Sequence, residues 1–92
     1  MNKGALGLAY AARKVVIGTE EVVKAIQKKQ VQLVLLATDA SENTTKKIKD
    51  KTNTYQIELI HKYTALEMSS AMGKQNIKVI GIKDKGFSMM LK

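Results

Sequence analysis

The sequence contains no cysteine and only one histidine, His61, among its 92 residues. The absence of cysteine excludes disulfides and thiolate metal sites, and it gives no sign of an oxidising compartment. A single imidazole argues against a histidine metal cluster and against a Ser/His/Asp arrangement. Because no other convergent acid, base and nucleophile stand out, we expect neither enzymatic activity nor a cofactor.

Aromatic residues and long apolar runs are also scarce. With one phenylalanine and three tyrosines, base stacking in the manner of RRM or OB-fold proteins is not expected. No apolar run approaches the roughly 20 residues needed to cross a bilayer. The first residues follow a helical pattern that runs into Arg13 and Lys14 instead of a cleavage signal, so we expect a cytoplasmic protein.

Positive charge is in clear excess. Sixteen basic residues against eight acidic ones give a net charge of +8, which attracts polyanions such as nucleic acid or an anionic membrane surface. A content of 45% hydrophobic residues is that of a folded chain. No linker or repeat divides the sequence, so we expect residues 1–92 to form a single domain, acting as a monomer.

Helical and strand patterns alternate along the chain. Helices are predicted over 3–13, 19–28, 41–51, 64–73 and 87–91, and strands over 15–17, 33–38, 56–61 and 77–82. Two of the helix starts have specific signals: Ser41 is a plausible cap, and Thr64 with Glu67 forms a capping-box pattern. Alternation with short connections predicts an α/β sandwich with helices on both faces of a sheet.

The segment Gly18–Ile26 is the most informative part of the chain. Helical spacing places Glu21, Lys24 and Lys28 on one face and the apolar residues on the other. Gly18 and Thr19 supply the start signal of this helix, because a glycine can adopt the entry geometry and the threonine hydroxyl can accept from a first-turn N–H. Free amides there, with lysines behind them, favour a phosphate or a base edge. The alternative is that these side chains are ordinary solvated charges.

Two motifs in this region resemble a known family. The order G-T-x-E-x-x-K-A-I over 18–26, followed by L-V-x-x-A-x-D over 33–39, resembles the kink-turn-binding ribosomal protein family of L7Ae, and within it the small bacterial YlxQ-like branch. The resemblance continues at 11–16, 39–41, 43–47, 72–74 and 84–87. It implies a three-layer α-β-α sandwich with a mixed central sheet of about four strands and both binding loops at one end. The implied partner is RNA, either a kink-turn or ribosomal RNA on the ribosome, and not a membrane.

The resemblance also implies a set of binding residues. In the family, the segment that matches 18–21 and its following lysine enter the groove beside two sheared G·A pairs, so Glu21 and Lys24 are the expected base readers. Arg13, Lys14, Lys28 and Lys74 are expected to flank the same end and to contact phosphates. The full implied set is Arg13, Lys14, Gly18, Thr19, Glu20, Glu21, Lys24, Lys28, Met72, Gly73 and Lys74.

Two members of that set have a second interpretation. Met72 either covers a base or fills the core at helical spacing, as methionine readily does. Gly73 belongs to the second binding loop, or it simply ends a helix. The lysines at 46, 47, 49 and 51 form either a solvated face or a second patch for ribosomal RNA.

The sequence departs from the family pattern at Glu20, where kink-turn binders carry asparagine. A carboxylate only accepts hydrogen bonds, whereas an amide also donates, so one recognition contact is lost. Val22 and Val23 also replace small hydroxyl residues. These departures favour an alternative function, a protein-interaction module that docks on a ribosomal or translation-associated partner and has only nonspecific RNA affinity.

Overall fold

The computed structural model describes residues 2–92, which form five helices and four strands. These are α1 (Lys3–Ala11), β1 (Val15–Ile17), α2 (Thr19–Gln27), β2 (Leu33–Leu36), α3 (Glu42–Thr54), β3 (Glu58–Ile60), α4 (Ala65–Ala71), β4 (Val79–Ile82) and α5 (Lys85–Leu91). The predicted order of elements is confirmed, although α3 continues further and three of the strands are shorter than their patterns. None of these helices is long and apolar enough to cross a membrane.

The helix starts follow local capping signals. The Ser41 hydroxyl accepts from the Thr44 N–H at 3.1 Å. Thr64 and Glu67 form the predicted capping box, with the Thr64 N–H donating to the Glu67 carboxylate at 3.0 Å. This bond, with the Thr64 hydroxyl, holds the pKa of Glu67 below its usual value. The last helix begins earlier than predicted because Asp84 caps it.

The four strands form one mixed sheet in the order β1-β4-β2-β3. Strand β4 is antiparallel to both β1 and β2, while β2 and β3 are parallel. Three strands therefore point one way and β4 points the other. We call the end where β1, β2 and β3 finish and β4 begins the front end, and the end where those three begin and β4 finishes the rear end.

The core lies in two layers, one on each face of the sheet. Strand β2 supplies both, because its side chains alternate: Leu33 and Leu35 join the layer under α1, α4 and α5, while Val34 and Leu36 join the layer under α2 and α3. Every residue of β2 and β4 is buried, as expected for central strands covered on both faces. The predicted three-layer α-β-α sandwich with a four-stranded mixed sheet is confirmed.

Candidate nucleic-acid interface

The start of α2 is built on a glycine. Gly18 is the N-cap, with φ 101° and ψ 150°, a conformation that side chains strongly disfavour. Its N–H donates to the carbonyl of Val79 at 3.1 Å, which fixes the helix start beside the start of β4. No side chain caps this helix, so the prediction that the Thr19 hydroxyl does so is wrong: Thr19 is already the first helical residue. The first-turn amides therefore remain open to an anion.

The outward face of α2 carries the predicted acid and base. Glu21 and Lys24 are 65% and 64% exposed, with 3.7 Å between carboxylate and ammonium. An exposed pair of this kind is worth only about 0.5 kcal/mol or less. Either group can therefore exchange its partner for a ligand at small cost. Val22 and Val23 point the other way into the core, so these two substitutions do not alter the exposed face.

Glu20, the departure from the family pattern, forms a contact that the sequence did not predict. Its carboxylate accepts from Lys47 of α3 at 2.8 Å. This hydrogen bond and the charge of Lys47, with a smaller effect from Lys24, lower the pKa of Glu20. The acidic substitution thus comes with a counter-ion on the neighbouring helix, and the negative charge at the helix start is locally offset.

Asp39 joins three segments at the front end. One carboxylate oxygen accepts from the Ala65 N–H at 2.8 Å, and the other lies 3.6 Å from the ammonium of Lys78. The Ala65 bond is the main cause that lowers the pKa of Asp39, and Lys78 adds to it. The Ala37 N–H also donates to the Lys78 carbonyl at 2.8 Å. The segment that follows β2, the start of α4 and the start of β4 therefore form one connected surface.

The loop between α4 and β4 borders this surface. Gly73 adopts φ 67° immediately after the last turn of α4, which confirms its predicted role as a helix terminator. The ammonium of Lys74 lies 5.4 Å from the centre of the Tyr10 ring, within cation–π range. Met72 is only 7% exposed and packs in the core. This burial favours the interpretation of Met72 as a core residue, and its contact with a base stays a prediction.

A shallow cavity of about 320 Å³ opens beside this loop. It is lined by Asp39, Ala65, Leu66, Ser69, Lys74, Gln75 and Asn76. Leu66 is 78% exposed and offers an apolar surface there. Sequence reasoning missed Leu66, Asn76 and the pairing of Asp39 with Lys78, because these residues come together only through the tertiary fold.

The predicted binding residues do not all share one end. Gly18, Glu20 and Glu21 lie at the front end, and Lys74 lines the cavity beside Asp39 there. Arg13 and Lys14 precede β1 and therefore lie at the rear end, where the Lys83 N–H donates to the Lys14 carbonyl at 2.8 Å. Lys28 closes the far end of α2, before the chain enters β2. The expectation that Arg13, Lys14 and Lys28 flank the end that carries Gly18 and Glu21 is wrong, because β1 and α2 each run from one end of the sheet to the other.

Residues 2–92 match the model of the ribosomal protein L7Ae/L30e/S12e/Gadd45 family. The chain belongs to this family. Two relatives are both called RNA-binding protein YlxQ. The one from Enterococcus faecium is 38% identical over 87 residues, which cover 95% of this chain and 84% of the relative. The one from Bacillus subtilis (strain 168) is 41% identical over 86 residues, which cover 94% and 86%. The resemblance to the YlxQ-like branch is thereby confirmed.

Solved structures agree on the fold of this family member. A protein of unknown function from Bacillus halodurans C has a TM-score of 0.92 and 45% identity, covering 97% of this chain and 90% of its own. A 15.5 kD RNA-binding protein from Giardia lamblia has a TM-score of 0.84 and 12% identity, covering 97% and 77%. At 12% identity the second likeness shows a shared fold only.

Proposed function

We propose that this chain is a non-catalytic RNA-binding protein that recognises a kink-turn or a similarly bent internal loop through its front end. The observation that supports it most directly is the exposed, weakly paired Glu21 and Lys24 on the opening turns of α2. The bond from Gly18 to Val79 sets this helix start beside the strand that follows the loop after Gly73. The family membership and the names of the two relatives point to the same ligand class.

The recognition chemistry follows from these two side chains. A sheared G·A pair leaves guanine edge atoms unpaired, so a carboxylate accepts from guanine N–H groups and an ammonium donates to the carbonyl or ring nitrogen. The first-turn amides of α2 and Lys74 would then contact phosphates, which fix position without reading sequence. Binding stabilises the bent conformer by its differential affinity for bent over extended RNA.

Two structural observations favour this function over protein docking. Glu20 favours protein docking in the sequence analysis because its negative charge would repel phosphates. In the structure, Lys47 offsets that charge. Val22 and Val23 favour docking in the same analysis because they replace hydroxyl residues. Both are core residues, so they leave the exposed face unchanged. We therefore favour RNA over a protein as the partner. We propose ribosomal RNA in the cytoplasm as the target and a monomer as the active form.

A gel-shift titration tests the proposal. It compares a kink-turn RNA with the same RNA in which both G·A pairs are replaced by Watson–Crick pairs. A good base contact is worth about 1–3 kcal/mol, so we expect the chain to prefer the kink-turn by roughly 10-fold or more, and Glu21→Ala with Lys24→Ala to remove that preference. The matched control is Glu42→Ala with Lys46→Ala, an acid and a base four residues apart on α3. Equal affinity of the unaltered protein for both RNAs contradicts specific recognition.

Two further measurements address the finer parts. We expect co-sedimentation with ribosomal particles that is lost after RNase treatment. A partner that is retained from RNase-treated extract would instead support protein docking. Sedimentation equilibrium of the free protein should give a single 10.2 kDa species.

A further inference from the structure

A second cluster of basic residues lies at the rear end, at the opposite end of the strands from the proposed kink-turn site. All of its members are exposed. They come from three connections, between α1 and β1, between α2 and β2, and between β4 and α5. They are Arg13, Lys14, Lys28, Lys29 and Lys83. We call this group the rear basic cluster.

Backbone contacts hold the three connections together. The Lys83 N–H donates to the Lys14 carbonyl at 2.8 Å, and the Gln32 N–H donates to the Ile82 carbonyl at 2.7 Å. Between Lys29 and Gln32, Val31 packs so closely on β4 that a Cβ added at Gly81 would lie 2.9 Å from it. The loop after α2 is therefore pressed onto the end of β4, beside the start of β1. Adjacent strands lie about 4.8 Å apart, so the backbone segments that carry these charges are neighbours.

The cluster has no internal counter-ions. Among residues 2–92, none of its five cations takes part in an ion pair, whereas Lys24, Lys47, Lys78 and Lys92 each do. The nearest acid in sequence, Asp84, is engaged in capping α5 through the Phe87 N–H at 2.9 Å. Crowded like charges destabilise the folded state unless an anion neutralises them.

We propose that the rear basic cluster is a second RNA-binding surface, which holds the phosphate backbone of a duplex segment distinct from the one at the front end. Several exposed cations can neutralise a row of phosphates, and the deep, narrow major groove of an A-form RNA duplex keeps such side chains from the base edges. The extents of the molecule, 29 × 25 × 19 Å, keep the two surfaces apart. One molecule can therefore join two RNA segments. The proposal shares with the proposed function only the choice of RNA as ligand.

The test uses a fully Watson–Crick RNA duplex, which lacks G·A pairs and so cannot be recognised through the base contacts proposed for Glu21 and Lys24. Affinity is measured by fluorescence anisotropy across a series of KCl concentrations for the full chain, for Arg13→Gln/Lys14→Gln/Lys83→Gln, and for Lys46→Gln/Lys49→Gln/Lys51→Gln. Both triple variants lose the same charge. The slope of log K against log salt is negative, and each lost phosphate contact makes it shallower by about 0.9. We expect a reduction of about 2–3 for the rear variant and little change for the α3 variant.

A second assay asks whether one molecule joins two RNAs. Kink-turn RNA is immobilised, the protein is loaded, and a labelled Watson–Crick duplex is added. We expect capture by the unaltered chain and by the charge-conserving Arg13→Lys/Lys83→Arg variant, and no capture by the rear variant. An equal loss of salt slope in the α3 variant, or unchanged capture by the rear variant, would overturn the proposal. If G·A discrimination fails but the rear-dependent slope remains, only the proposed function falls.

Discussion

Replacing Gly18 by alanine tests whether the start of α2 is held by backbone geometry alone. With φ 101° and ψ 150°, Gly18 occupies a region where other residues are strained by about 1–3 kcal/mol. A Cβ built there meets nothing within 4 Å, so no steric clash adds to the cost. Reduced freedom of the unfolded chain returns about 0.4–1 kcal/mol. We therefore expect Gly18→Ala to lower the free energy of unfolding by about 1–2 kcal/mol.

The same change at two other glycines supplies the controls. Gly73→Ala should lower the free energy of unfolding by about 1–2 kcal/mol, because Gly73 adopts φ 67° and a Cβ added there would have free space around it. Gly4 lies in the first turn of α1 and has an ordinary 3.6 Å contact from an added Cβ, so Gly4→Ala should gain about 0.5–1 kcal/mol. Alanine at the two positive-φ positions should thus lower the stability of the protein, and alanine at the helical position should raise it.

Urea and thermal unfolding, followed by circular dichroism, measure these changes. For a chain of this size about 1 kcal/mol moves the melting temperature by about 4–8 °C, so Gly18→Ala should melt about 5–15 °C lower. Measured below that melting range, the variant should also bind kink-turn RNA less tightly, because the first-turn amides are displaced. An unchanged or raised melting temperature for Gly18→Ala would refute the conclusion that this helix start requires a glycine conformation.

Two further predictions concern the charges at the front end. Lys47→Ala should raise the pKa of Glu20 toward its ordinary value of 4.5, because the hydrogen bond from Lys47 is the main cause that lowers it. Lys46→Ala should leave it unchanged, and carboxyl chemical shifts followed by NMR titration distinguish the two variants. The lowered pKa of Asp39 means that its contribution to stability is present above its ordinary pKa of 3.8 and is lost as the pH falls through the lower folded value. Asp39→Asn keeps an oxygen that accepts from the Ala65 N–H but cannot ionise, so urea unfolding in the acid range should depend less on pH than in the unaltered chain; an equally steep fall would show that Asp39 does not carry this dependence.

Local sequence signals predicted which elements form and where two of the helices begin, but not how far each strand extends. The Ser41 cap and the Thr64–Glu67 capping box act over a few residues, so they were readable in advance. The pattern for β3 was too long because a strand extends only as far as its partner pairs with it, here from Glu58 to Ile60 against β2. The cap at Thr19 was wrong because Gly18 could itself take the N-cap geometry.

The candidate site divides in the same way. Helical spacing was enough to place Glu21 and Lys24 outward and the valines inward, and Gly73 was readable as a helix terminator. The burial of Met72 remained open because both of its interpretations use the same helical spacing. The contact from Glu20 to Lys47 spans 27 positions, and no local pattern could have indicated it.

The sequence by itself determined which segments are helices and strands, which face of each is apolar, and that the chain carries an excess of positive charge, because those properties depend on neighbours a few positions apart. Only the tertiary structure decided which charges meet. The reversal of β4 in the sheet sends Gly18 and Lys74 to one end and Arg13, Lys14 and Lys83 to the other. Strand direction is set by long-range backbone pairing and by the burial of β2 and β4 between two helical layers. Neither can be inferred from the order of the charged residues along the chain.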